Sequence, residues 1–213
     1  LGLLGHTGSG KSTLAQQLLR LYDIQQGEIF LSGIKLASVA RHILPHRVGM
    51  VTQEVQLFQT TVRNNLTLFD SYIPDEQILH ALEVLGLMPW LDQLPQGLET
   101  MLGADSGGLS AGQAQLLAFA RVFLKDPGLV ILDEASSRLD PTTESAIAQA
   151  VDRLLSDRTA IIIAHKLETV QRADKILILE QGKVLEYGNR QVLSRDVHSC
   201  YAQLLAVGFK AAL

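Results

Sequence analysis

The chain has 213 residues, of which 47% are hydrophobic and 19% charged, so it can bury a sizeable core as one large or two small domains. Its 18 basic and 22 acidic residues give a net charge of -4 without a basic run, which argues against nucleic acid as a direct partner. The apolar runs fall short of the roughly 18 residues that a membrane span needs, and the single cysteine, Cys200, excludes an intrachain disulfide and suits a reducing compartment.

The first motif follows an apolar run, Leu1–Leu4, that is typical of the end of a buried strand. It fits the phosphate-loop pattern of Gly, four residues, Gly, Lys and then Ser or Thr. Glycines let successive backbone N–H groups point at one anion, and the helix expected over Thr13–Leu21 adds its positive N-terminal end. We therefore predict that nucleotide phosphates bind the loop residues Gly5, His6, Thr7, Gly8, Ser9, Gly10, Lys11, Ser12 and Thr13.

The beginning of the chain carries a further expectation. Leu1 is not an initiator methionine and stands at the last residues of the first strand, with no signal peptide before it. We expect the chain to be a fragment that lacks at least the start of this strand.

The next predicted elements are strands. Glu28–Leu31 is predicted to end at a Ser32-Gly33 turn, and Arg47–Thr52 has the composition of a buried parallel strand. Gln53 follows the second strand, at the sheet edge where ligands bind in doubly wound folds. An isolated glutamine at such a position is more often a solvated loop residue.

From residue 60 to about 126 the pattern becomes helical. Pro74 suits a helix start, and Leu109-Ser110-Ala111-Gly112-Gln113 opens a long helix that ends near Lys125, with Ser110 as its N-cap. A capped helix is a sufficient explanation of this stretch taken by itself.

The third section alternates strands and helices. Gly128–Asp133 is an apolar strand that ends in two acids, Asp133 and Glu134, and a strand over 160–164 ends at His165. At the carboxyl end of a parallel strand, Asp133 could hold Mg²⁺ and Glu134 could polarise a water that attacks the γ-phosphate. A hairpin over 175–187 and helices from Arg190 to Leu205 complete the chain.

With these motifs in this order, the chain closely resembles the nucleotide-binding domain of ATP-binding cassette (ABC) transporters over nearly its whole length. The most specific signal is the signature motif, Leu109–Gln113, which other phosphate-loop enzymes lack. The resemblance implies an α/β fold: a P-loop NTPase core with a mainly parallel sheet flanked by helices, built from residues 1–59 and 126–213. It also implies a helical subdomain, residues 60–125, that carries the signature motif.

The resemblance also implies roles for individual residues, with ATP and Mg²⁺ as cofactors. Glu134, His165, Gln53 and Lys11 would be catalytic. Ser12, Gln53 and Asp133 would hold the metal. Besides residues 5–13, the nucleotide would be contacted by Ser110, Gly112, Gln113 and Asp140. The aromatic residue that stacks on adenine in this family would lie upstream, outside this chain.

In the family, two such domains pack head to tail as a homodimer or heterodimer, so Ser110 and Gly112 would serve the partner's ATP. A transmembrane domain, expected on the same full-length chain, would hold the domain at the cytoplasmic face of a membrane. Val51–Asn65 resembles the segment through which exporter domains meet their transmembrane helices. The sequence thus resembles the ATPase engine of an exporter.

Some features depart from the family pattern. Ala111 replaces the middle glycine of the signature, Ala114 and Leu116 stand where basic residues are common, and 103–107 lacks a Glu-Arg pair often found in exporters. The alternatives are a soluble ABC-type ATPase of DNA repair or translation, an importer subunit, and a phosphate-loop kinase, which would not need the signature motif.

Overall fold

The structure is a computed structural model that describes residues 1–52, 54–102, 109–133, 141–163 and 167–207, the side chains of 141–143, 167, 168 and 207 excepted. Contacts divide the chain into two compact units. The sheet unit comprises Leu1–Met50, Gly128–Glu134 and Thr159–Leu213, and the helical unit comprises Val51–Pro127 and Ala135–Arg158. No helix in the described ranges is long and apolar enough to cross a bilayer.

A six-stranded sheet with the order β4-β5-β6-β1-β7-β8 forms the centre of the sheet unit, and β2 and β3 form a separate hairpin. The pairs β5–β6, β6–β1 and β1–β7 are parallel, and β8 runs antiparallel to β7. The strands are β1 (Gly2–Leu4), β2 (Phe30–Leu31), β3 (Ile34–Lys35), β4 (Val48–Val51), β5 (Leu129–Asp133), β6 (Thr159–Ile163), β7 (Lys175–Glu180) and β8 (Lys183–Asn189).

The described part of the chain contains ten α-helices. They are α1 (Lys11–Leu18), α2 (Leu44–Arg47), α3 (Val62–Thr67), α4 (Asp75–Val84), α5 (Met88–Leu91), α6 (Ala111–Lys125), α7 (Pro141–Leu155), α8 (Leu167–Val170), α9 (Arg190–Arg195) and α10 (Cys200–Val207). Short 3-10 turns cover Leu36–Ser38 and Gly97–Glu99.

The central strand β1 is packed on both faces, because successive side chains of a strand point to opposite sides. Leu3 lies in a buried cluster with Ala15 of α1 and Ile131 of β5. A Cβ built on Gly2 would lie 2.1 Å from Val170, in α8, so glycine is needed at that position for close packing. A strand buried on both faces suits a parallel sheet covered by helices, and the predicted fold class is confirmed.

The helical unit has its own apolar core, in which α6 contacts α3, α4 and α7. Its buried side chains include Val62 and Leu66 of α3, Ile78 and Leu82 of α4, and Phe119 of α6. The predicted helical subdomain, 60–125, falls within this unit.

Some predicted boundaries differ from the structure. The strand expected over Glu28–Leu31 is reduced to Phe30–Leu31, which pairs with Ile34–Lys35 across the Ser32-Gly33 turn. Arg47 is the last residue of α2 and not the first residue of a strand, since Pro45 favours a helix in whose first turn it lies. The strand that follows begins at Val48.

Candidate functional site

The loop between β1 and α1 has the backbone that glycine allows. Gly5, Gly8 and Gly10 have φ values of 146°, 81° and 103°, which side chains of L-residues disfavour. A Cβ on Gly5 would lie 2.2 Å from the carbonyl oxygen of Leu179 and 2.6 Å from Ser9 Oγ, whereas a Cβ on Gly8 would meet open space. The glycine at position 5 is therefore required by contact as well as by conformation.

Lys11 begins α1 and is buried, with 5% of its surface exposed. Its Nζ donates hydrogen bonds to the carbonyl oxygens of Gly5 at 2.6 Å and His6 at 2.9 Å. Burying an ammonium group is favourable only when its hydrogen bonds are satisfied, and the turn of the loop supplies these two acceptors. The loop thus holds a positive charge at its centre.

The N-terminal end of α1 is suited to an anion. Gly10 is its N-cap and provides no side-chain hydrogen bond to the first turn, so backbone N–H groups and the helix dipole remain available there. Ser9 Oγ is buried and has no hydrogen-bond partner among the described residues. A cationic loop with available donors fits a phosphate group.

The strand register brings an acid to the same edge of the sheet. Asp133, the last residue of β5, pairs with Ile163 of β6, which in turn pairs with Leu3 of β1. Two strand spacings, about 10 Å, therefore separate Asp133 from Leu3 of β1, two residues before the loop begins. Ser12 is exposed in the first turn of α1. Hydroxyl and carboxylate oxygens are ligands that Mg²⁺ accepts.

Four predicted site residues lie outside the described residues: Gln53, Glu134, Asp140 and His165. The structure places their neighbours only. Thr52 follows β4, Asp133 ends β5, and Ile163 ends β6.

The signature motif starts α6, a helix of 15 residues in the helical unit, as predicted. Ser110 Oγ accepts a hydrogen bond from the backbone N–H of Gln113 at 3.1 Å, and Gln113 Oε1 accepts one from the N–H of Ser110 at 2.9 Å. This reciprocal pair is a capping box, which satisfies two donors at the helix end. Ser110 and Ala111 are exposed and Gly112 is buried. Leu116, where basic residues are common in the family, is buried in the core.

Sequence reasoning missed two polar residues of α6 that hold the chain after β4. The buried Gln115 donates from Nε2 to the carbonyl oxygen of Thr52 at 3.2 Å. Arg121 donates to the carbonyl oxygens of Gln56 at 2.8 Å and Asn65 at 2.7 Å. Burial lowers the pKa of the Arg121 guanidinium. No local pattern predicts these contacts, because their partners are 56 to 65 positions away.

An exposed aromatic pair, Phe58 and Phe69, lies in the same unit. The two rings meet edge to face with centroids 5.8 Å apart, and each residue exposes about half of its surface, 46% and 59%. Leu68 and Phe69 both have positive φ, 53° and 68°, which is unfavourable for bulky side chains. Leu68 is the C-cap of α3, and Phe69, which follows it, contacts the ring of Phe58.

Comparison with known proteins identifies the family of the chain. A sequence profile of the family described as ABC transporter matches residues 1–137. The chain is 40% identical over 211 residues to an ATP-dependent lipid A-core flippase of Haemophilus influenzae (strain 86-028NP), covering 98% of this chain and 36% of the flippase. It is 39% identical over 193 residues to a probable multidrug resistance ABC transporter ATP-binding/permease protein of Bacillus subtilis (strain 168), covering 91% of this chain and 29% of that protein.

A solved structure, that of a bacterial Atm1-family ABC exporter with ATP bound, is similar with a TM-score of 0.85 and 34% identity. The match covers 97% of this chain and 36% of the exporter chain, so the chain spans about a third of the length of these proteins. Both the matched family and the fold agree with the resemblance seen in the sequence. The chain belongs to the ABC transporter family.

Proposed function

We propose that the chain binds ATP with Mg²⁺ and hydrolyses it as the engine of an exporter-type ABC transporter. The observation that carries the proposal is that the phosphate loop and Asp133 both lie at the carboxyl ends of parallel strands, with Asp133 in register with Leu3, two residues before the loop. A cationic loop at a helix N-terminus, with a carboxylate two strands away, is suited to a nucleoside triphosphate and its metal ion.

Nucleotide binding requires a local change at Lys11. Its Nζ leaves the carbonyl oxygens of Gly5 and His6 and turns to the β- and γ-phosphates, whose charged oxygens accept stronger hydrogen bonds than a carbonyl does. Ser12, Asp133 and Gln53 would hold Mg²⁺, which supplies neutralising charge to the phosphates. Glu134 would polarise the attacking water, with His165 and Gln53 placed by the family resemblance around the γ-phosphate.

A second nucleotide-binding domain would complete each site in a head-to-tail dimer. The capping box uses an acceptor lone pair of the Ser110 hydroxyl and the Oε1 of Gln113. The hydroxyl proton of Ser110 stays available to donate to a partner's γ-phosphate, beside the N–H groups of the first turn of α6. Gly112 would keep that turn close to the phosphate, and Asp140 would act across the same dimer interface.

The transmembrane partner would contact the aromatic pair, Phe58 and Phe69. Phe58 lies in the segment Val51–Asn65 that resembles the exporter contact segment, and exposed aromatic rings are common at the centres of protein interfaces. This contact would place the chain at the cytoplasmic face of a membrane, through a transmembrane domain of the same protein. The flippase and the multidrug resistance protein described above favour this arrangement over a soluble machine of DNA repair or translation.

Two variants test the hydrolytic assignment. We expect Lys11→Ala to weaken ATP binding, because the loop loses its positive charge, and Glu134→Gln to preserve binding while slowing phosphate release by a factor of about 100 or more. Calorimetric titration with ATP and a phosphate-release assay separate the two effects. Hydrolysis by Glu134→Gln at the wild-type rate would refute the role given to Glu134.

A further inference from the structure

The turn between β7 and β8 lies against the phosphate loop. Its two central residues, Gln181 and Gly182, have φ values of 49° and 77°, the left-handed conformation of a tight hairpin turn. The backbone N–H of Gly182 donates a hydrogen bond to the carbonyl oxygen of Ser9 at 3.0 Å. A hairpin turn thus holds the middle of the loop from outside it.

Two further contacts join the same segments. Gly5, the first residue of the loop, packs so closely on the carbonyl of Leu179 that a Cβ would lie 2.2 Å from its oxygen. A Cβ built on Gly10, the last residue before α1, would lie 3.7 Å from Gly182 Cα. The start, middle and end of the phosphate loop therefore all rest on residues 179–182.

The hairpin of β7 and β8 has an irregular register next to this contact. Its register shifts between Ile178 and Leu179, where β8 has one more residue than β7. Such a bulge bends a strand and changes the direction in which the following turn leaves the sheet. The irregularity lies immediately before the residues that meet the loop.

We propose that Gly182 is a positioning residue for nucleotide binding. Its N–H fixes the carbonyl of Ser9, and through it the direction in which the neighbouring N–H groups of the loop point. This inference rests on the proposed function of the loop. A binding loop held in its bound shape loses less conformational freedom when the ligand arrives, so its affinity is higher.

A substitution at position 182 can test this without a steric collision. A Cβ on Gly182 would have no atom within 4 Å, so its effect would come from the positive φ, which L-residues resist. Valine at this position would shift the backbone and displace the N–H from Ser9. Asparagine tolerates the left-handed conformation and would keep the turn.

The chain contains a matched control. The turn between β2 and β3 has the same form, with φ values of 50° at Ser32 and 78° at Gly33, and a Cβ on Gly33 would likewise meet open space. Gly33→Val therefore applies the same backbone strain to a hairpin that is separate from the six-stranded sheet carrying the phosphate loop.

The experiment compares Gly182→Val, Gly182→Asn and Gly33→Val with the wild type in calorimetric titrations with MgADP and in thermal unfolding. We expect Gly182→Val to weaken ADP binding about three- to tenfold, the size expected for losing one hydrogen bond, and Gly182→Asn to restore most of it. Gly33→Val should bind ADP within twofold of the wild type although its melting temperature falls similarly. Gly182→Ala replaces the valine variant if that protein does not fold.

Amide spectra of the nucleotide-free proteins give an independent measurement. Gly182→Val should shift the ¹⁵N–¹H signals of Gly10 and Lys11, and Gly33→Val should leave them in place. Wild-type affinity and unchanged loop signals in Gly182→Val would overturn the inference, as would equal losses in both valine variants. Failure of the wild type to bind ADP would instead refute the proposed function, and the amide signals would still decide whether Gly182 positions the loop.

Discussion

Arg121 and Asn65 are joined by two hydrogen bonds within the helical unit. Nε of Arg121 donates to the backbone oxygen of Asn65 at 2.7 Å, and Nη2 donates to its side-chain Oδ1 at 3.1 Å. Asn65 is completely buried, and its Oδ1 also accepts from the N–H of Phe58 at 2.9 Å. The guanidinium lies 5.9 Å from the centre of the Phe58 ring. The helix that begins at the signature motif is thereby connected to the aromatic pair.

Removing this guanidinium should loosen the segment before α3. We expect Arg121→Met to lower the free energy of unfolding by about 2 to 4 kcal/mol, because the buried oxygens of Asn65 lose the guanidinium as donor and the exposed carbonyl of Gln56 loses its hydrogen bond. Chemical denaturation measures the loss, and hydrogen exchange of the Phe58 amide should become faster. The control is Arg41→Met, which removes an exposed pair with Asp23 at 3.6 Å and should change the stability by less than about 0.5 kcal/mol. Equal losses in both variants would contradict the role given to Arg121.

Two glycines of the phosphate loop allow the effect of a steric contact to be separated from the effect of a positive φ. Gly5→Ala and Gly8→Ala both place a side chain at a positive φ, but only the first brings a Cβ against the backbone of Leu179. We expect Gly8→Ala to lower the free energy of unfolding by about 1 kcal/mol and Gly5→Ala by about 3 kcal/mol, with the larger loss of ATP affinity in Gly5→Ala. Thermal unfolding and ATP titration check both. If Gly5→Ala had the same stability and ATP affinity as Gly8→Ala, the backbone of Leu179 would have moved to make room for the methyl group, and the predicted steric effect would be wrong.

An ion pair on the helical unit should give a defined pH dependence. Arg63 donates to both carboxylate oxygens of Asp75 and, from Nε, to Glu99 at 2.6 Å. The hydrogen bonds from Arg63 lower the pKa of Asp75, so folding is favoured by the ionised form. The contribution is complete above the unfolded pKa of about 3.9 and is lost as the pH falls through the lower folded value.

The measurement is the difference in melting temperature between the wild type and Asp75→Asn. It should be constant near neutral pH, narrow as the pH falls from about 4 towards 2, and shrink in high salt, since the pair is exposed. Asp23→Asn, at the looser pair with Arg41, should show little difference at any pH. A difference that grows on acidification would mean that the sign of the linkage is wrong.

Mixed dimers test the head-to-tail arrangement. We expect Ser110→Arg to bind ATP with an affinity close to that of the wild type and to lose hydrolysis, because the added cation at the exposed helix end blocks closure on a partner. Mixing it with Lys11→Ala should restore part of the activity, since one of the two composite sites then carries neither substitution. Phosphate release is measured over a range of mixing ratios. No recovery at any ratio would count against the arrangement.

The helices and strands were predicted most accurately from the sequence where a local pattern and the tertiary packing favour the same structure. Ser110 followed by Gln113 is a capping pair by spacing, and the structure shows both of its hydrogen bonds. Pro74 was expected at a helix start and is the N-cap of α4. The strands that carry the phosphate loop and Asp133 were recognisable because residues buried on both faces form continuous apolar runs.

What could not be predicted depends on contacts distant in sequence or on unfavourable backbone conformations. The Arg121 network joins α6 to residues 56 and 65, and an arginine in a helix is usually a solvated residue. Leu68 and Phe69 occupy left-handed conformations that propensity assigns to glycine. The hydrogen bond of Gly182 to Ser9 depends on the order of strands in the sheet, which no local pattern contains.

The sheet order also decides when the loop can form during synthesis. Both neighbours of β1 come late: β6 begins at Thr159 and β7 ends at Glu180, and the amino group of Leu1 bonds to the carbonyl of Ala160 at 2.7 Å. At about 5 to 20 residues per second, a ribosome needs roughly 10 to 35 seconds to pass from Leu4 to Glu180. Until Ile163 has been synthesised β1 has neither of its partner strands, and until Glu180 it lacks β7, although α3, α4 and α6 can already pack on one another. We therefore expect the phosphate loop of a nascent chain to reach its folded conformation only after the hairpin turn at Gly182 has left the ribosome.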